Sequence, residues 1–313
     1  MKFGLQHPSF TFDGEGSKTA ESLRALVREA EAYGFDSFWV MDHFHQISVV
    51  GETREPMLEG WTTISYAASC SSRIKLGTLV TGIVYRHPSV LAKIGATLDV
   101  LSEGRLFMGI GAAWNLEEAT AYGIPFPPVG ERMRRLEETV QIIRKMWTEE
   151  KATFNGRFYQ IHEAYCNPKP IQKPYPPIMI GGSGERQTLK IAAKYADACN
   201  IFGSPTTVKN KLAILREHCR NVGRDYDAIL KTKLGHVIID RDEREVEKRV
   251  AEDLEELPRE RWGEVAIYGT PDQIRRKVEE FRDAGLDYLI VNLEPQRELE
   301  AMKLFAEEVA KKF

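Results

Sequence analysis

Cysteine is scarce in this chain, with four among 313 residues, and Cys70, Cys166, Cys199 and Cys219 form no Cys-x-x-Cys pair. That scatter excludes a disulfide framework and a cysteine zinc site, and reads as reduced thiols of a cytoplasmic protein. A surplus of charge is also lacking. The 43 Lys and Arg against 46 Asp and Glu leave a formal −3, so nothing marks a basic footprint for nucleic acid or an anionic membrane. No apolar run approaches the length of a membrane helix, and the opening MKFGLQHPSF has no signal-like apolar stretch.

What is present is ample apolar material, 42% of residues, with 28% charged for a soluble surface. Short apolar runs recur at 2–6, 37–41, 74–82, 105–111, 177–182, 198–202, 231–240 and 287–293. Helical patterns separate them at 17–34, 61–71, 88–101, 130–149, 185–195, 205–221, 242–256 and 271–284. Ser17 can cap the first helix and Gly34 close it, and Thr-Pro at 270–271 opens the last. Strands apolar on both faces, each followed by a helix, predict parallel strands covered on each side. Eight such units predict a TIM (β/α)8 barrel in a single domain spanning 1–313. The interval from about 112 to 176 is longer than the rest and predicts an insertion after strand four, either a lid or a decoration.

Barrel sites gather at the carboxyl ends of the strands. Gln6 and His7 follow strand one, and Asp42, His43 and His45 follow strand two in FWVMDHFHQ. The His-x-His pair invites a metal-dependent hydrolase, but it closes the second strand, and His162 and His218 fall outside the strand ends. Strand four ends in Gly109-Ile-Gly111-Ala112-Ala113-Trp114-Asn115, where small residues permit close approach of a ligand to the backbone. Gly181, Gly182, Ser183 and Gly184 precede a helical pattern, with backbone N–H groups available for an anion. The alternative is a tight turn with Ser183 as helix cap.

Taken together, EAEAYGFDSFWVMDHF, KLGTLVTGIVYRHPSVLAKIGATLDVLSEGRLFMGIGAAWN, PPIMIGGSGERQTLKIAAKYADACN and GTPDQIRRKVEEFRDAGLDYLIV resemble the luciferase-like monooxygenase superfamily, specifically its coenzyme F420-dependent oxidoreductases. The resemblance runs nearly end to end. It implies hydride transfer between the deazaflavin and a small organic substrate, with a homodimer expected. Members that use FMN as two-component monooxygenases share most of these segments and stand as the alternative. On this resemblance Asp42 bonds the polar edge of the ring and His43 exchanges the proton, a task its ordinary titration range suits. It also implies a non-proline cis peptide at Thr78–Leu79 backing the ring, with Thr81 nearby. The tail phosphate is expected on Gly111, Ala112, Ala113, Trp114 and Asn115 and on Gly181 to Gly184.

Two positions depart from the sugar-phosphate dehydrogenases of that group. Trp114 stands where they carry an acidic glutamate, and Ile47 replaces a tryptophan after the Asp-His pair. Both argue against glucose 6-phosphate. They leave a more apolar pocket, with His7, Trp61, Tyr85, Trp114 and Phe126 as candidate walls, although each aromatic could instead pack the core. The charged run at 240–260 reads as a solvated helical face.

Overall fold

The computed structural model describes residues 1–12, 18–255 and 257–313. Ser17, the expected first cap, lies outside them. The elements run β1 (Lys2–His7), α1 (Thr19–Ala32), β2 (Ser37–Val40), α2 (Gly60–Cys70), β3 (Lys75–Thr78), β4 (Thr81–Gly82), α3 (Pro88–Leu101) and β5 (Met108–Gly111). Next come α4 (Leu116–Ala121), α5 (Val129–Thr148), β6 (Lys151–Asn155), β7 (Gln160–Tyr165), β8 (Ile178–Gly181), α6 (Thr188–Tyr195), β9 (Ala198–Asn200) and α7 (Pro205–Val222). The chain ends with β10 (Leu230–Ile239), α8 (Glu243–Asp253), α9 (Trp262–Val265), β11 (Ala266–Gly269), α10 (Pro271–Asp283), β12 (Tyr288–Leu293) and α11 (Glu298–Glu308).

The main sheet is parallel throughout, in the order β3-β2-β1-β12-β10-β9-β8-β5-β4. A bridge between Leu76 and Leu106 joins β3 to the approach of β5 and closes the ring. With β3 and β4 as two halves of one stave, the eight apolar runs become the eight staves of a TIM barrel. Period-two alternation sorts the side chains. Phe3, Leu5, Phe38 and Val40 face the surrounding helices, whereas Trp39, Phe107, Met179, Tyr288 and Ile290 fill the barrel. Tyr288 shares its hydroxyl with Ser37, whose Oγ also accepts from Trp39 Nε1 at 2.5 Å. These side chains fill the barrel interior.

Two expectations change. The helix at 242–256 is not a barrel layer. It belongs to an excursion after β10 that returns as β11, parallel to the end of β10, and α10 then takes the seventh helix position. The eighth helix is α11, whose Ala301, Met302 and Phe305 are buried against the barrel. In the long interval, α5 is an ordinary barrel helix packed between α3 and α6. The extra material is α4 and the hairpin of β6 and β7. Glu138 of α5 holds that hairpin's tip by accepting the N–H groups of Arg157, Phe158 and Tyr159 at 2.9–3.0 Å. The hairpin therefore sits on the outer layer as decoration, not over the mouth as a lid.

No helix among the described residues is long and apolar enough to cross a membrane.

Candidate functional site

A cleft of about 1170 Å³ opens at the carboxyl ends of the strands. Its floor includes Gln6, Met41, Leu79 and Val80, and one rim carries Gly111, Ala112, Ala113 and Trp114. Gly181, Gly182, Ser183, Asn200 and Phe202 continue around it, and His236, Asn292 and residues 252–255 form the far wall. This exceeds the ~300–1,000 Å³ of ordinary ligand pockets.

The alternation of β2 runs past its end. Met41 and His43 line the cleft, whereas Asp42 points to the helix layer, where its Oδ1 lies against Gly60. Asp42 is buried and forms a two-pronged pair with Arg86, at 2.6 and 2.9 Å. Glu59, the N-cap of α2, takes the same guanidinium. Burial opposes charge on Arg86, but its bonds to Asp42 and Glu59 hold it above its ordinary range. Asp42, expected at the edge of a bound ring, is not among the residues lining the cleft and pairs instead with Arg86 behind the strand end.

His43 meets an acid that the sequence reading passed over. Its Nδ1 lies 2.8 Å from Oε2 of Glu118, which has no exposed surface. Glu118 also accepts the Tyr85 hydroxyl at 2.5 Å and the Phe44 N–H. Burial works against the ionised carboxylate, yet the bonds from His43, Tyr85 and Phe44 outweigh it and hold the carboxyl below its ordinary range. Asn115 starts α4 by accepting the Glu118 N–H at 3.2 Å. An Asn with Glu three residues on is a recognisable helix-start signal. Here the glutamate turns away from its own cap towards His43.

The other expected residues divide. Tyr85 and Trp114 line the cleft, and Trp114 sets its ring edge-on to His43 with centroids 5.7 Å apart. His7 does not line it. It faces the helices, stacked on Phe12 and bonded to Glu298 at 2.7 Å, because Gln6 takes the inward position of β1. Trp61 is buried in α2 and donates to Thr81 Oγ1 at 2.9 Å, and Thr81 meets Thr78 at 2.8 Å. Those three support the floor without lining it. Phe126 lies under the Arg132 guanidinium, 3.9 Å from its centroid, and is no wall either.

The non-proline cis bond joins Leu79 and Val80, one residue beyond Thr78–Leu79. The Leu79 N–H still bonds the Val40 carbonyl at 2.9 Å, so the ladder continues through Leu79 and the chain departs after it. Val80 fills the space beside Gly111 and Gly181, where an added Cβ would come within 2.8 Å of it.

Ser183 does not cap α6. Its Oγ accepts the Phe202 N–H at 2.9 Å, and α6 starts at Thr188 after a turn. The Gly182 N–H already bonds Asn200, and neither Gly184 nor Asn115 lines the cleft. Of the glycine run expected to face an anion, Gly181, Gly182 and Ser183 line the cleft. His45 bonds the carbonyl of Gln46 at 3.1 Å, apart from His43. Among the described residues no group of three or more His, Cys, Asp or Glu is arranged to hold a metal.

A profile described as luciferase-like monooxygenase matches residues 1–256. The chain belongs to the luciferase-like monooxygenase family. Within reach of this family is an uncharacterized protein of Mycobacterium tuberculosis, 32% identical over 215 residues, covering 64% of this chain and 74% of that one. The F420-dependent glucose-6-phosphate dehydrogenase of Kineococcus radiotolerans is 35% identical over 214 residues, covering 67% and 61%. Among solved structures, an F420-dependent secondary alcohol dehydrogenase in complex with an F420-acetone adduct shares the fold at a TM-score of 0.84, with 20% identity over 99% of each chain. The luciferase-like mouth of the present chain carries its titratable pair, His43 and Glu118, at the rim where the long α4 excursion meets β2.

Proposed function

We propose that this luciferase-like protein is a coenzyme F420-dependent oxidoreductase acting on a small organic alcohol or carbonyl compound. The observation that carries the reading is His43 in the cleft wall with Nδ1 on buried Glu118. The cleft fits such a group. Its volume admits a tricyclic ring together with a substrate, and Leu79 and Val80 give an apolar floor. The rim at Gly111–Ala113 and Gly181–Gly182 is nearly free of side chains, with Ala113 turned through a left-handed φ of 63°. Those residues would hold the cofactor, which when bound supplies or accepts the hydride.

The chain's own part is the proton. Glu118, kept ionised, fixes the Nδ1–H tautomer of His43 and leaves Nε2 as the exchanging nitrogen. Neutral His43 then accepts the hydroxyl proton of an alcohol, and protonated His43 returns it to a carbonyl oxygen. One group serves both directions. Tyr85 holds Glu118 from the other side, and Trp114 covers the imidazole edge.

Glucose 6-phosphate fits poorly. Among the described residues no Lys or Arg lines the cleft, and Trp114, which the resemblance sets where the sugar-phosphate dehydrogenases carry an acid, adds an apolar surface there. The experiment is turnover of F420 with a panel of short alcohols, followed by the deazaflavin's visible absorbance, with His43→Ala as control. The reading expects reduction by the wild type and a loss of about 10²–10⁴-fold in the variant. Equal rates in both would overturn it. An FMN-dependent monooxygenase is the rival, distinguished by which cofactor the protein retains.

A further inference from the structure

A chain of hydrogen bonds crosses the mouth from its floor to the far wall. Gln6 Nε2 donates to the Leu79 carbonyl at 3.2 Å, and Asn292 Nδ2 donates to Gln6 Oε1 at 3.4 Å, the longest link. His236 Nδ1 lies 2.9 Å from Asn292 Oδ1, and His236 Nε2 lies 3.0 Å from Asp253 Oδ2. Both ends of this chain only accept: a peptide carbonyl at one, a carboxylate at the other. The two amides pass the polarity along, since each accepts with its oxygen and donates with its nitrogen. Every link is satisfied only if His236 donates from both ring nitrogens, which requires the imidazolium.

We propose that protonated His236 is a positioning residue that ties the last turn of α8 to Asn292 of β12 within the far wall, and that loss of its proton leaves only one of its two links and so loosens that wall. Asp253 is the last residue of α8, and Glu252, Asp253, Leu254 and Glu255 line the cleft. The charged groups around the imidazole are Asp253 on α8 and Glu294 just beyond β12, the latter paired with Arg249 of α8 at 2.8 Å. Asn292 and Gln6 are neutral. Burial opposes the cation, but Asp253, Asn292 and Glu294 hold its proton above the ordinary range. This tie is a property of the free chain. That it shapes the substrate side of the cleft rests on the functional reading above.

The test is hydrogen–deuterium exchange of peptides covering residues 246–254 in the cofactor-free, full-length protein, corrected for intrinsic rates, below and above the titration of His236. Wild type is expected to protect this turn at the lower pH and to lose roughly 10-fold of that protection at the higher one, as one lost bond of about 1.4 kcal/mol would give. His236→Gln cannot donate twice in line and should exchange fast at both. Asp253→Asn supplies an N–H to neutral His236, completing the chain without the cation, and should stay protected at the higher pH. Exchange that is the same at both pH values in wild type, or an Asp253→Asn protein as open as His236→Gln, would overturn the tie. Titrating wild type with F420 at both pH values separates the two readings: absent binding refutes the cofactor assignment and leaves the exchange result standing.

Discussion

Nδ1 of His43 lies 2.8 Å from Oε2 of Glu118, 75 residues further along the chain, and the carboxylate is wholly buried. The pair joins the end of β2 to the first turn of α4. On the proposed function, Glu118 anchors the proton-exchanging His43, a partner that the sequence reading did not name.

Glu118→Gln should therefore lower kcat for F420-linked turnover by about 10²-fold or more, since the amide no longer fixes the tautomer of His43. F420 affinity should change little. Because the Glu118 carboxyl is held below its ordinary range, it stays ionised through neutral pH and hands over its support only in acid. A pH–rate profile of wild type should accordingly show no limb from Glu118 near neutrality. A variant with unchanged kcat would place the proton elsewhere.

Arg86→Ala should destabilise the fold by about 3–5 kcal/mol, because burial already pushes the Asp42 carboxyl above its ordinary range and the variant removes the guanidinium that opposes that push. Urea unfolding measures this directly. The double variant Asp42→Asn with Arg86→Ala should recover part of the loss, since no buried charge is then left unpaired.

Lys233 offers the opposite sign. It is buried on the outer face of β10 over Phe281, its Nζ donating to the Leu234 carbonyl at 2.8 Å, and burial brings it down to about 8. Between about 8 and 10.5 the unfolded chain binds more protons than the native one, so stability rises with pH through that window and is diminished below it. Lys233→Met should raise stability at pH ~7 by about 1–3 kcal/mol and flatten that slope. A lower urea midpoint in the variant would contradict this.

Glu31 sits at the end of α1 and accepts the N–H groups of Ser72, Arg73 and Ile74. Burial works against its charge, but those bonds bring the carboxyl to about 2. Its contribution is thus complete above 4.5, the ordinary value, and fades as pH falls towards about 2. Glu31→Gln should cost about 1–2 kcal/mol at neutral pH, with solvent screening limiting it, and the gap to wild type should close in acid. Thermal melts across that range report it.

Much of this architecture was written in the apolar runs. Each of the eight became a stave because a parallel strand buried on both faces has to be continuously apolar. The eighth helix was missed because ELEAMKLFAEE is short and rich in glutamate, resembling a solvated tail until Phe305 and Met302 find the barrel. The acidic run after β10 looked merely solvated, yet its last turn walls the cleft, which only the return through β11 reveals. At the site, alternation along β2 was enough to assign His43 inward and Asp42 outward, had it been carried past the strand end. Glu118 was marked only by Asn115 three residues before it, and no local pattern says that such a glutamate will reach a histidine 75 residues away. His236 and Asn292 lie on neighbouring strands in register, a relation that strand order alone discloses.

The central claim is the cofactor, and fluorescence titration of the purified protein with F420 and, separately, with FMN tests it most directly. The account predicts saturable F420 binding at micromolar concentration and much weaker retention of FMN. Tight FMN binding with no F420 binding in that range would contradict it.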